Sequence, residues 1–455
     1  MTPERAFPLR VAGVDCGSNA IRFLAAEFSA PGKGTIVHQE RVPVRLGHEV
    51  FLSGTLNTDA IAAAVAAFRG FAQQLERLAV DGYRAVATSA VREARNRDVL
   101  LDAVRAEAGL ELEVITGTEE ARLVHRAVTH RLDLSGGKWV LVDLGGGSVE
   151  VSLVDDAGML WTESHTIGTV RLLEVLQDSA HEPVRFRRLV DEYLNALRVP
   201  APAQYWEPAG LIATGGNIEA LAELAGAPRD EKGAATLKLA DLEAAIERLS
   251  ALGYEERIER LGLRPDRADV ILPAAMVYHR VAALVGAGEI VVPHIGVKEG
   301  LLLDAVDRLV SDVLYRAEHA RVVRQGAVSL GRRYMFDEAH GLHVADLALH
   351  LFDALQDLHR LGAHERTILM AAAILHEIGS FIAHKKHHKH SHYIISRSEL
   401  PALSWYDMQL VALVARYHRG ADPSERHRDF AALDPDHRRV VRRLSAHLRL
   451  ADALD

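Results

Sequence analysis

Cysteine is almost missing: Cys16 stands alone in 455 residues, so no disulfide can close within the chain. That scarcity predicts a reducing, cytoplasmic setting. No apolar run reaches the roughly 20 residues of a membrane-spanning helix, and the opening MTPERAFPLR lacks the apolar centre of a secretory signal, so no membrane partner is expected. Cations are the minority charge, 53 Lys and Arg against 62 Asp and Glu, for a formal net charge of -9. A field of that sign repels polyanions and weighs against a general nucleic-acid binder, while leaving room for a local cationic site. Length alone suggests about three domains.

What the chain does have is a repeat. LRVAGVDCGSNAIRFLAAEF (Leu9 to Phe28) and WVLVDLGGGSVEVSLVD (Trp139 to Asp155) both run strand, Asp, short Gly/Ser loop, strand. Asp15 and Asp143 hold the same place in each, 128 positions apart, which implies two similar subdomains rather than a solenoid. Between and after them helices and strands alternate. Asn57 to Val80 reads as a helix, YRAVATSA as a strand, RDVLLDAVRAEAG as a helix ending at Gly109, LELEVITG as a strand, and GLIATGGNIEALAEL as a strand turning into a helix at Gly215 and Gly216. Such alternation predicts an α/β fold. From about Ser311 the strand patterns stop, and histidine-rich amphipathic helices such as HVADLALHLFDALQDL take over. The expected domains are 1–130, 131–310 and an all-helical 311–455.

A glycine-rich turn costs conformational entropy, but it can aim successive backbone N–H groups at one anion. DLGGGS offers Gly145, Gly146, Gly147 and the Ser148 hydroxyl; DCGSN offers Gly17, Ser18 and Asn19, with Arg22 on the next strand. Tight hairpin turns are the plainer reading of either loop alone. Two matched loops, each led by an aspartate, point to phosphate, with Asp143 and Glu150 as oxygen ligands for Mg2+.

Five segments in this order and spacing, VDCGSNAIRFLAAE, ATSAVREARN, VITGTEEARLVHRAV, VLVDLGGGSVEVSLV and LIATGGNIEAL, resemble the exopolyphosphatase/guanosine pentaphosphate phosphohydrolase (Ppx/GppA) family, over roughly residues 9 to 310. The resemblance implies two ribonuclease H-like, actin-type subdomains with the phosphate loops on opposite walls of a cleft, and a homodimer. It implies hydrolysis of the terminal phosphoanhydride of inorganic polyphosphate, or of the 5′ γ-phosphate of pppGpp, with water and Mg2+ (or Mn2+). Glu120, the second glutamate of TGTEEARL, matches the family's catalytic carboxylate. Glu119 should point elsewhere. Both could instead be helix-start carboxylates under a Thr116 or Thr118 cap. A general base also needs a pKa above the ordinary carboxylate value, which crowding with Asp143 and Glu150 would supply. Arg92 resembles the arginine that reaches the bound phosphoryl chain; a surface ion pair is its plainer role, as for Arg22. Departures from the family pattern are Asn217 for a hydroxyl residue, Lys298 for arginine and Ala20 for serine.

The C-terminal helices resemble the HD-type domain appended to long family members, whose metal positions correspond here to His343, His376 with Glu377, and Asp452. Glu377 replaces the usual aspartate, so a vestigial platform and dimer surface is the preferred reading over a working metal centre. In FIAHKKHHKHSHY, Lys385, Lys386, His387, His388, Lys389 and His390 read as a polyanion track, with a solvated basic loop as the plainer alternative. That tract favours long polyphosphate over pppGpp. Two other readings stay open: an actin-like nucleotide-binding regulator without turnover, and an enzyme whose activity lies in the helical domain. The chain stops at LADALD, where long members of the family usually continue, so a dimer surface or channel wall is expected to be incomplete.

Overall fold

The computed structural model describes residues 6–48, 50–156, 158–176, 183–197, 199 and 208–455. The chain divides into two compact units, residues 1–312 and 313–455. In the first, strands β1 (Leu9–Cys16), β2 (Ile21–Ala30), β3 (Lys33–Val42), β4 (Gly82–Ala87) and β5 (Leu112–Val114) form a sheet of order β3-β2-β1-β4-β5. The second sheet contains β6 (Trp139–Leu144), β7 (Val149–Val154), β8 (Met159–His165), β9 (Gly210–Thr214), β10 (Ala235–Lys238) and β11 (Glu289–Val292), in the order β10-β11-β9-β6-β7-β8.

The two sheets repeat one plan. In each, a hairpin and a third antiparallel strand lie on one side of the leading strand, and two parallel strands lie on the other; the second sheet adds β10, antiparallel to β11, at its edge. The register makes the duplication exact at the site: Asp15 pairs with Arg22 as Asp143 pairs with Glu150. β7 is buried at every position, as expected of a strand covered on both faces.

Helices follow the local signals. α1 (Thr58–Arg77) starts under Asn57, whose side chain accepts from the Ala60 N–H at 2.7 Å. α2 (Arg97–Ala108) ends at Gly109 in the left-handed conformation, φ 65°. α3 (Gly117–Arg131) is capped by Thr116, which accepts from the Glu119 N–H. α4 (Gly216–Leu224) begins after Gly215 at φ 105°; Asn217 sits inside its first turn rather than capping it. α5 (Ile271–Val285) is buried against the second sheet's core. α6 (Val297–Val310) follows the second sheet in sequence but packs on β1, β2, β4 and α3 of the first half. Its Gly300 lets that happen, since a Cβ there would lie 2.1 Å from the Leu123 carbonyl oxygen.

The second unit is helical, as the sequence pattern predicts: α7 (Asp312–Arg333), α8 (Glu338–Ala354), α9 (Ala363–Leu375), α10 (His387–Ser396), α11 (Trp405–Arg416) and α12 (Pro435–Leu454) surround their own apolar core. Among the described residues, no helix is long and apolar enough to cross a membrane.

Candidate active site

The ends of β1 and β6 meet a cleft of about 550 Å3 lined by Asp15, Gly17, Ser18, Asn19, Arg22, Glu120, Asp143, Gly145 and Gly146, among others. The two loops face each other closely enough that a Cβ on Gly146 would stand 2.9 Å from the Ser18 Cβ. None of Gly17, Gly145, Gly146 or Gly147 has a positive φ. Gly146 and Gly147 are therefore required by close approach, not by left-handed backbone, whereas Gly145 has room for a Cβ. Gly147 makes the same point more sharply: a Cβ would lie 2.3 Å from the Phe51 ring and 2.6 Å from the Ser89 hydroxyl.

Within each loop a short turn is already closed, Gly17 N–H to the Ala20 carbonyl and Gly145 N–H to the Ser148 carbonyl. Among the described residues, the backbone N–H groups of Ser18, Asn19, Gly146 and Gly147 donate to no protein acceptor. Backbone donors are rarely left so inside a fold, and here they come from two loops that face each other. Other expected contacts are rearranged. Gly147 and Ser148 are buried behind the cleft lining. The Asn19 side-chain amide is spent on the Asp266 carbonyl at 3.0 Å, tying the first half to the second. Arg22 lines the cleft and donates to Asp15 at 2.8 Å. Arg92 is not among the lining residues; its Nη1 donates to the Ile115 carbonyl at 2.9 Å and lies 3.5 Å from Glu120 Oε2.

Beneath the loops Glu120, Asp143 and Glu150 gather, all buried, with one oxygen of each within 4.8 Å of the others. Glu120 reaches this place from the first turn of α3, whereas Asp143 and Glu150 are cross-strand partners. Thr214 donates to Asp143 Oδ1 at 2.5 Å, and Ser164 to Glu150 Oε1 at 2.7 Å. Glu120 Oε2 and Glu150 Oε2 are buried without a hydrogen bond. Burial first, then Glu150, pushes the Glu120 pKa well above the ordinary carboxylate range, with Arg92 opposing. Burial raises Glu150 to about 7 and Asp143 to about 6. Three crowded carboxylates with two orphaned oxygens form an all-oxygen donor set that fits a hard divalent cation such as Mg2+.

Glu119, one residue away, turns to the opposite side. It accepts from Arg122 at 2.7 and 2.9 Å and from Arg84 at 3.0 Å, and both arginines also bind Asp304 of α6 at 2.9 Å. Burial alone would raise the Glu119 pKa; Arg122 and Arg84 outweigh it and hold the group below its usual value. Sequence reading also missed Thr214, Ser89, Gly168 and the cleft cations Arg41, Arg264 and Arg267. Only TGG before α4 hinted at Thr214, through its place at the end of a strand.

Two sequence profiles span most of the chain: the Ppx/GppA phosphatase family over residues 28–309, and Ppx/GppA phosphatase, domain III, over residues 323–455. The chain belongs to the Ppx/GppA phosphatase family. It is thereby a hydrolase of phosphoanhydride bonds. This Ppx/GppA phosphatase is 28% identical over 417 residues to a guanosine-5′-triphosphate,3′-diphosphate pyrophosphatase of Pseudoalteromonas translucida, covering 89% of this chain and 80% of that one. It is 38% identical over 293 residues to exopolyphosphatase 2 of Mycobacterium tuberculosis, covering 60% and 90%. A solved exopolyphosphatase from Cytophaga hutchinsonii superposes with a TM-score of 0.57 at 27% identity, over 66% of this chain and 98% of that one. The Aquifex aeolicus Ppx/GppA member gives 0.54 at 28%, over 65% and 96%.

The raised pKa of Asp143 has a measurable consequence. Between its ordinary 3.8 and about 6, the folded carboxyl keeps a proton that the unfolded chain has released. Its contribution to stability is full below about pH 4 and lost as pH rises through 6, a change of about 3 kcal/mol. Asp143→Asn cannot lose that proton. In urea melts in EDTA, the stability of the variant relative to wild type should rise by about 3 kcal/mol from pH 4 to pH 8. Parallel curves would show that Asp143 is not strained by burial.

Proposed function

We propose that this chain is an exopolyphosphatase that removes the terminal phosphate of inorganic polyphosphate with Mg2+ and a water activated by Glu120. The observation that carries the reading is the pairing of unsatisfied N–H groups on two facing loops with a buried carboxylate cluster directly beneath them. In this reading the loop N–H groups and Arg22 hold the oxygens of the terminal phosphoryl group and stabilise its charge as the bond breaks. Glu120 accepts the proton of the attacking water, a task that its raised pKa suits. Arg92 orients Glu120 rather than touching substrate. Asp143 and Glu150 would hold Mg2+, which when bound supplies positive charge against the phosphoryl oxygens.

Polyphosphate is favoured over pppGpp by the cleft lining. Arg22, Arg41, Arg264, Arg267 and Lys298 line it beside Asp15, Glu40, Glu219, Asp266 and the Glu120–Asp143 cluster, while among the described residues its one aromatic, Phe23, is fully buried and offers no face to a guanine. Successive cations suit a long chain of phosphates better than a base. Hydrolysis of pppGpp to ppGpp is the second reading, favoured by the longer span shared with the Pseudoalteromonas translucida pyrophosphatase. We further propose a cytoplasmic setting and a homodimer. Phosphate release from long-chain polyphosphate, pppGpp and ATP, measured side by side with and without Mg2+, tests the proposal. Polyphosphate should be fastest and all release should need Mg2+; faster release from pppGpp would reverse the substrate ranking.

A further inference from the structure

Two of the buried carboxylates sit in a row that runs across four strands. Asp143 on β6 pairs with Thr214 on β9 and with Glu150 on β7, and Glu150 pairs with Ser164 on β8. Paired residues point to one face of a sheet, so two carboxylates stand between two hydroxyls. The equivalent row of the first sheet is Val86, Asp15, Arg22 and Arg41. It keeps the aspartate, but has a valine in the place of Thr214 and arginines in the places of Glu150 and Ser164. The two hydroxyls therefore accompany the carboxylate pair, not the repeated fold.

Both hydroxyls donate to these carboxylates, and each has a single proton to give. Thr214 Oγ1 lies 2.5 Å from Asp143 Oδ1 and 3.4 Å from the Val142 carbonyl oxygen, so the proton goes to the carboxylate. Ser164 Oγ donates to Glu150 Oε1 at 2.7 Å. Each donor takes one oxygen and leaves the other. Glu150 Oε2 has no hydrogen bond, and among the described residues none donates to Asp143 Oδ2. The donors are themselves held in place. Thr214 is buried, and its carbonyl accepts from the hydroxyl of Tyr278, a fully buried residue of α5, at 2.8 Å. Ser164 abuts the start of α3, where a Cβ on Gly117 would lie 2.6 Å from both its Oγ and its Cβ. Glu120 stands on that same first turn, so Ser164 spaces Glu120 from Glu150 as well as orienting Glu150.

We propose that Thr214 and Ser164 are positioning residues: they fix the rotation of Asp143 and Glu150 so that the unbonded oxygens converge, with Glu120, on one divalent cation. The inference rests on the reading of this cluster as the cation site. Neither hydroxyl touches substrate in this role. Partners that orient ligating carboxylates typically contribute about 10- to 100-fold in metal affinity.

The test measures Mn2+ binding by the whole chain without substrate, from the electron paramagnetic resonance signal of the free ion. The binding that Asp143→Asn removes defines the cleft site. Thr214→Val, which keeps the branched shape and deletes the hydroxyl, should weaken that binding about 10- to 100-fold, and Thr214→Ser should restore it. Ser164→Ala should act in the same direction and less, since the Ser148 hydroxyl also faces Glu150. Ser152→Ala is the control: it deletes a hydroxyl paired with Thr162 at 2.8 Å, two positions along the same strands, and should leave binding unchanged. Should Thr214→Val not fold, Ser164→Ala against Ser152→Ala decides alone. Wild-type affinity in both Thr214→Val and Ser164→Ala, with Asp143→Asn deficient, would overturn the inference and leave the cation site standing. An equal loss in Ser152→Ala would also overturn it, and binding that Asp143→Asn does not alter would overturn both readings.

Discussion

Glu119→Ala and Glu120→Ala should fail in opposite ways. Removing Glu119 leaves Arg84 and Arg122 buried with part of their counter-charge gone; among the described residues Asp304 and, for Arg84, the more exposed Glu113 remain. Breaking a buried pair by deleting one partner typically costs about 3–5 kcal/mol, because the remaining charge stays desolvated. The variant should melt markedly lower and recover activity wherever it remains folded. Glu120 is the reverse case: a buried carboxylate crowded by Glu150 and Asp143, with one oxygen lacking a hydrogen bond. Its loss relieves repulsion, so Tm should hold or rise, while phosphate release falls about 10²- to 10⁴-fold, the usual worth of a general base. Thermal melts and steady-state phosphate release on both variants separate these outcomes. A destabilised Glu120→Ala with normal turnover would remove Glu120 from the chemistry.

The second large effect is expected at Gly168, which touches no substrate. A Cβ there would lie 2.3 Å from the Gly146 carbonyl oxygen and from Gly147 backbone atoms. Backbone cannot swing aside as a side chain can, so Gly168→Ala must push the second loop out of place. Overpacking of this kind costs about 1–3 kcal/mol. The functional loss should be larger, because a displacement of about 1 Å in a positioning element can cost about 10²-fold in rate. Ala at Gly145 is the matched control, since its Cβ would meet only the Ser148 carbonyl at an ordinary 3.5 Å. The kinetic comparison is informative only with far-ultraviolet circular dichroism showing both variants folded. Equal rates for the two would mean that the loop's position is unimportant.

These cases show where sequence could and could not reach. The duplicated Asp-led hairpins were readable because strand alternation and turn residues are local, and the register follows from them. The divergence of Glu119 from Glu120 was readable from helical spacing. The partners were not: Arg84, Arg122 and Asp304 come from β4, α3 and α6, and only the return of α6 to the first half brings them together. Gly168 and Thr214 are equally long-range. A second reason for Gly146 and Gly147 was out of reach for the same cause, since most of the atoms that crowd them belong to Ser18, Phe51 and Ser89 of the other half. In the helical unit, His340 and His343 lie three apart on one helix, and spacing cannot say which faces inward: His340 Nε2 lies 3.2 Å from His376 Nε2, beside Glu377 and Asp452, while His343 is more than half exposed. His387 read as one of a run of cations forming a polyanion track, yet the first residue of α10 is turned into the core.

The central claim is that two facing loops hold a phosphoryl chain above the Glu120 cluster. It is tested most directly by the crystal structure of Glu120→Gln with Mg2+ and a short polyphosphate. Terminal phosphoryl oxygens within hydrogen-bonding distance of the N–H groups of Ser18, Asn19 and Gly146, next to residue 120, are the expected result. A chain bound elsewhere, with those three donors still unengaged, would contradict it.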